Sequence, residues 1–158
     1  MTLLLAVSGL TFSIVLALPI GIMSAARRGT WIDSLGMSVA LLGQSVPVFW
    51  LGLMLIMVFA VGLRWLPALG SGGLDHLVLP TISLGLFSAA ATARLLRAGL
   101  VEVLDQEYVR TARAKGLAEQ RVLLGHAIRN ALIPVVTMLG LQFGALLGGA
   151  LVTETIFA

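Results

Sequence analysis

Few residues in this sequence are equipped for bond-making chemistry, and their spacing argues against it. The single lysine, Lys115, is followed by Gly116. A phosphate-cradling loop needs glycine-rich backbone, then Lys, then Ser or Thr, so nucleotide hydrolysis by that route is excluded. The two histidines, His76 and His126, stand in separate polar segments with an apolar run between them. On opposite sides of a membrane they make no metal or catalytic pair within one chain. Cysteine is absent, which removes disulfides, thiolate metal sites and cysteine nucleophiles. No Gly-x-Ser-x-Gly elbow presents a serine. The sequence reads as non-enzymatic, with no cofactor or metal bound by this chain.

The placement of charge says more. Seven of the ten basic residues fall between Arg94 and Arg129, mixed with four acids. A basic tract can meet nucleic acid, but apolar runs flank this one on both sides. Retention on the cytoplasmic side of a membrane accounts for it better, with no nucleic-acid partner. Within the tract, Glu102 to Asn130 predicts two short helices. Val101, Leu104, Tyr108 and Ala112 recur at spacings of three and four, while Asp105, Arg110 and Arg113 lie elsewhere. Gly116 interrupts as a helix cap or sharp turn. Val122, Leu123 and Ala127 then share one side of the second helix. The product is a compact elbow, its tip kept narrow by Ala112, Ala114 and Gly116. Two uses fit it: a hairpin lying on the anionic inner leaflet, or a docking element for a partner protein.

The elements that must position this elbow are membrane spans. The chain of 158 residues is 59% apolar and 11% charged, with a mean hydropathy of +1.06. Soluble domains run at roughly half apolar and a quarter charged. The uncharged stretch Leu3 to Met23 has 21 residues, about 31 Å of helix against a hydrocarbon core of roughly 30 Å. Leu35 to Leu63 is longer, enough to span with tilt. Leu77 to Ala93 is shorter, with Arg94 and Arg97 placed to snorkel at its end. Ala131 to Thr153 closes the set, followed by Glu154. The expected fold is all-α, a polytopic transmembrane helical bundle of about four spans (3–26, 35–63, 77–100 and 131–153) with a helical loop at 102–130.

Basic residues follow the first run rather than precede it, so a span is expected there rather than a signal peptide. The positive-inside rule puts loops 24–34 and 94–130 in the cytoplasm and both chain ends outside. Trp65 is expected at the headgroup level, with Pro67 and the glycines from Gly70 to Gly73 forming a flexible outer turn.

Inside the membrane, Gln44 and Gln142 need partners for their amides. They line a path for a peptide-like solute, or they make an interhelical hydrogen bond. Pro47 frees a carbonyl one turn earlier and is expected to kink the second span. Gly140, Gly144 and Gly148 form a small-residue stripe that reads as a close helix contact. Asp75 and Glu154 lie near the outer face, as solvated charges or as contacts for a binding protein.

The run Tyr108-Val109-Arg110-Thr111-Ala112-Arg113-Ala114-Lys115-Gly116-Leu117, followed by His126-Ala127-Ile128-Arg129-Asn130-Ala131-Leu132-Ile133-Pro134, resembles the EAA loop of ABC importer permeases. The general pattern, Glu-Ala-Ala, three residues and Gly, falls here on Arg110, Thr111, Ala112 and Gly116, so its glutamate and first alanine are absent. The later leucine-proline is Ile128-Arg129. Those departures are usual in the dipeptide, oligopeptide and nickel branch. Arg27-Arg28-Gly29-Thr30-Trp31-Ile32-Asp33 resembles the family's first cytoplasmic turn. Ser45-Val46-Pro47-Val48-Phe49-Trp50-Leu51-Gly52 resembles the start of its next span, and Val152-Thr153-Glu154-Thr155-Ile156-Phe157 the exit from the last. The stretches at Ala131 to Pro134 and Glu154 to Phe157 look more like the first of the branch's two permeases.

This resemblance implies a type I importer transmembrane subunit in the cell membrane, partial in length. An additional N-terminal span with an external segment and a further C-terminal span are expected in such permeases. It implies ABC ATPase subunits that use the ATP, a second permease in a heterodimer, an extracytoplasmic solute-binding protein, and the lipid bilayer as surroundings. The loop residues Tyr108, Arg110, Ala112, Arg113, Lys115, Gly116 and Leu117 would dock on the ATPase, with Ala112 and Gly116 as packing points and Arg113 and Lys115 as polar contacts. Gln44, Pro47 and Gln142 are the residues expected along the translocation path. Two other classes are open on residues alone. An ion-coupled carrier would want acids inside its spans, and none is present; a membrane scaffold would need no transport path.

Overall fold

The computed structural model describes residues 2–67 and 73–157, with side chains up to residue 149 apart from Leu74. The outer turn expected from Gly70 lies, up to residue 72, outside the described residues, as does the side chain of Glu154. Among the described residues there are helices and turns and no strand.

Helix α1 is Thr2–Ala26. Helices α2, Trp31–Ser45, and α3, Val48–Leu55, follow, and α3 continues as a wider π turn over Ile56–Gly62. A short 3-10 turn, Leu74–Leu77, leads into α4, Val78–Leu104. The elbow comprises α5, Glu107–Ala114, and α6, Glu119–Arg121, which runs through a π turn at Val122–Ala127 into α7, Ile128–Phe157. Three helical stretches are long and apolar enough to cross a membrane: Thr2–Ala26, Asp75–Leu104 and Glu119–Gly149. The α2–α3 pair makes a fourth only if taken as one broken span.

That pair differs from the single run expected at 35–63. The two helices meet at 96°. The cause is local. Val46, placed before Pro47, is pushed out of the helical region to φ −87°, ψ 124°, and Pro47 itself sits at ψ 135°. Helix α2 therefore stops at Ser45 and α3 restarts in a new direction.

Helix α4 is the axis of the bundle, parallel to α1 and antiparallel to α2 and α7. Its seam with α1 is a backbone-to-backbone approach. A Cβ on Gly85 would lie 2.7 Å from the Gly9 carbonyl oxygen and 2.7 Å from a Phe12 ring carbon. One on Gly21 would lie 2.9 Å from the Ala93 oxygen. Ala17, Ala89 and Ala93 fill the level between. Lipid tails offer no hydrophobic drive for helices to associate, so close van der Waals contact between small residues does the work.

The close contact expected at Gly140, Gly144 and Gly148 is not made among the described residues. No described atom lies within 4 Å of a Cβ built on any of them. Their spacing of four puts them on one face of α7, whereas Ala131, Val135 and Leu146 carry the buried one. The small-residue contact is on α1 and α4 instead.

Candidate functional site

The elbow is built on the same core as the helix ends that carry it. Leu96, Leu100 and Leu104 of α4, Val109 and Ala112 of α5, Val122 and Ala127, and Ala131 and Val135 of α7 form one buried cluster with Ala25 of α1. Val109, Val122 and Ala127 are fully buried. Outside lipid, each buried valine stabilises this arrangement by about 1.5–3 kcal/mol relative to exposure.

Its local geometry follows from the sequence between the spans. Helix α4 ends with the Asp105 and Gln106 amides bonding back to Glu102 and Val103. Gln106 is extended and its carbonyl accepts from Val109 and Arg110, starting α5. Glu107 in the first turn and Arg113 in the last suit the helix dipole. At the other end Gly116 adopts φ +79°. Its amide donates to Arg113 O at 2.9 Å and the Leu117 amide to Ala112 O at 3.4 Å. That is the paired closure of a glycine-terminated helix. Space is open around Gly116, so its backbone angle rather than crowding makes glycine the fitting residue.

The break at Asp105 and Gln106 corrects the expected stripe. A continuous helix would have put Leu104, Tyr108 and Ala112 on one side. The interruption resets the phase, and Val109 rather than Tyr108 enters the core with Ala112. Tyr108 stays 41% exposed, its hydroxyl accepting from Asn130 Nδ2 at 2.7 Å.

The named loop residues separate into two groups. Ala112 and Arg113 are committed to the elbow itself. Ala112 is buried in the chain's own core. Arg113 donates from Nε and Nη2 to Glu119 at 3.0 and 2.6 Å, and from Nη1 to Leu104 O at 3.3 Å. It ties α5 to α6 and to the end of α4. Leu117 is half-buried against the same core. Arg110, 3.1 Å from Glu107, is exposed, as are Lys115 and Gly116 at the tip.

At the base of the elbow Arg28 reaches Asp105 at 2.7 Å. The Arg28 guanidinium holds the Asp105 carboxyl below the usual carboxylate range, chiefly through that hydrogen bond. Arg28, Asp105, Arg113 and Glu119 line an open cleft between α1, α4 and the elbow.

A second tie was not anticipated. Asp33, 5% exposed, takes Arg97 Nε and Nη2 on its two oxygens at 2.7 and 2.6 Å. It also accepts the Gly29 amide at 3.0 Å. Arg97 therefore does not snorkel. It binds the first turn of α2, and the available signal was an acid standing alone at the edge of an uncharged run.

Of the residues expected along a path, Gln44 accepts from Arg94 and Gln142 accepts from Thr92 at 3.3 Å. Both amides thus make interhelical bonds to α4, on different faces of it. Pro47 marks the α2–α3 break and is exposed. His76 lies 3.3 Å from Asp75 and His126 is exposed in the elbow; the two are not brought together.

Comparison with known proteins agrees with this architecture. Residues 17–158 match the family described as binding-protein-dependent transport system inner membrane component. The chain is 48% identical over 156 residues to the glutathione transport system permease protein GsiC of Escherichia coli K12, covering 99% of this chain and 51% of that protein. It is 49% identical over 153 residues to the protein of the same name from Pectobacterium atrosepticum, covering 97% and 50%. The chain spans about half the length of the curated relatives it matches. In fold it is similar to a crystal structure of an amino acid ABC transporter with histidines, with a TM-score of 0.71 at 18% identity, covering 99% of this chain and 68% of that one. The chain belongs to the family of inner membrane components of binding-protein-dependent transport systems.

Proposed function

We propose that this chain is part of a permease subunit of an ABC importer, forming some of the path for small peptides or related solutes. In this reading it works with a second permease and an extracytoplasmic binding protein. Two ATPase subunits use the ATP. The glutathione transport for which the chain's relatives are named supports including that peptide in the solute class. The turn between α1 and α2 and the elbow between α4 and α7 face the cytoplasm.

The elbow carries the reading. It is rooted through Val109, Ala112, Val122 and Ala127 and braced by Arg113, yet it presents Tyr108, Arg110, Lys115 and Gly116 outward. A rooted projection transmits displacement; a loop merely lying on a membrane needs no such core. Closure of the ATPases on nucleotide would move the tip, and the shared core would carry that motion into α4 and α7. Ala112 and Arg113 serve as the elbow's frame, and Lys115 with Gly116 as its contact.

The test uses the full transporter. Gly116→Val and the surface variant Lys115→Glu are each expected to leave ATP hydrolysis running while uptake falls. Because Gly116→Val strains the backbone at positive φ, Lys115→Glu separates docking from folding. Unchanged uptake and unchanged stimulation of the ATPase in both variants would sink the assignment.

A further inference from the structure

Two arginines one turn apart on α4 go to distant parts of α2. Arg97 binds Asp33 in the first turn of α2. Arg94 donates to Gln44 Oε1 near its last. Asp33 and Gln44 are eleven residues apart, about 16 Å of helix, whereas the two arginines start about 4.5 Å apart along α4. The guanidinium groups therefore diverge.

Gly43 fixes the direction. A Cβ on it would lie 3.8 Å from the Ala90 Cβ and 3.9 Å from a Leu86 methyl, one and two turns before Arg94. Gln44 is thus level with the middle of α4, and Arg94 points toward the interior of a membrane-crossing stretch. The charge-rich loop lies the other way.

Among the described residues Arg94 has no carboxylate partner. A guanidinium carries five N–H donors, and the amide oxygen of Gln44 neutralises none of its charge. A cation so placed is costly and, as a rule, functional. Next to Gln44, Gly43 borders a small open apolar pocket between α1, α2 and α4 that Ala90 and Ala93 also line, and the chain turns by 96° just beyond Gln44.

We propose that Arg94, oriented by Gln44, is a recognition point for the carboxylate of a solute crossing the membrane. The inference rests on the permease reading and adds a charge preference to it. A phospholipid oxyanion offers similar chemistry, but headgroups lie at the surface from which Arg94 turns away.

The experiment uses the full transporter in nanodiscs without binding protein, with radiolabelled alanyl-alanine as probe and alanyl-alaninamide as competitor. Saturable binding is expected, with the amide a poor competitor. Arg94→Gln is expected to weaken binding about tenfold or more and Arg94→Lys about threefold, the loss of a charged hydrogen bond against its partial retention. Gln44→Leu, which keeps the charge but frees its direction, should fall between them, and it carries the test if Arg94→Gln fails to assemble. Equal binding of acid and amide, or wild-type affinity in Arg94→Gln and Gln44→Leu, overturns the proposal, as does absence of saturable binding. An effect seen only in discs containing phosphatidylglycerol assigns Arg94 to lipid and also overturns it. Co-purification of ATPases from the same preparation separates the two levels. Its absence sinks the permease reading, whereas its presence with carboxylate-blind binding sinks only this inference.

Discussion

Helix α4 is fixed by two different kinds of contact along its length. From Leu79 to Ala93 it meets α1 through glycine and alanine, with backbone atoms so close that Gly85 and Gly21 have no room for a side chain. From Leu96 to Leu104 it is held by leucines in a mixed core with the elbow, and by two ion pairs. The first kind depends chiefly on shape, with one hydroxyl pair (Ser8 and Thr81, 2.8 Å apart), and tolerates no added atom. The second combines burial with charge and can lose one part at a time. A seam of the first kind makes a rigid rod, and a base of the second kind fastens a projecting elbow to it.

The largest effect is expected at the boundary between them. Arg97→Ala leaves Asp33, nearly buried, without its cation. Removing one partner of a buried pair costs about 3–5 kcal/mol, and the 31% exposure of the Arg97 side chain brings the expectation to the lower end. Thermal unfolding in detergent measures it. Asp33→Asn with Arg97→Gln, which removes both charges, should cost markedly less than Arg97→Ala. Equal losses would mean that the pair is incidental and that α2 is held by packing.

Next comes the seam itself. Gly85→Ala puts a methyl 2.7 Å from the Gly9 oxygen, and such overpacking costs about 1–3 kcal/mol. Gly140→Ala adds the same methyl where nothing lies within 4 Å and should leave stability of this chain nearly unchanged. If the two substitutions cost the same, the contrast between a closed seam and an open face is wrong.

These two sites also show what was readable from sequence. Glycines on α7 and on α4 look alike as letters. Only the fold shows that Gly85 meets Gly9, because a small residue does not name its partner. The uncharged runs announced the apolar helices, since length and composition alone decide whether a helix can span. The break at Pro47 was half readable: a kink was expected, but its 96° size depends on Val46 leaving the helical region. The Asp33–Arg97 pair joins residues 64 apart, and nothing short of the antiparallel placement of α2 and α4 brings them together.

The elbow was read better at its turn than at its root. Gly116 was identifiable because a glycine ending an amphipathic stretch has a backbone reason. Val109 was missed because the periodicity was carried across Asp105 and Gln106, where the helix stops. Val109→Ala is expected to destabilise the elbow by about 1–2 kcal/mol through lost burial and the void left behind. Tyr108→Phe, which loses only the exposed hydrogen bond to Asn130, should cost no more than about 0.5–1 kcal/mol. Protection of the elbow amides from hydrogen exchange checks both. A reversed order would restore Tyr108 to the buried face.

The smallest effect is expected from Arg28 and Asp105, whose side chains are both about half exposed. The hydrogen bond from Arg28 holds the folded Asp105 carboxyl below its ordinary value of 3.8. The unfolded chain therefore takes up a proton there before the folded one does. The pair's stabilisation is complete above that ordinary value and is lost as pH falls through the lower folded one. An exposed pair contributes little and is screened by salt. Arg28→Ala should flatten the acid limb of a stability–pH curve slightly at low ionic strength and not at all in high salt. Arg97→Ala should remain destabilising at both. A salt-independent loss in Arg28→Ala would move this pair into the same class as Asp33–Arg97, and the elbow's base would then owe more to charge than to its leucines.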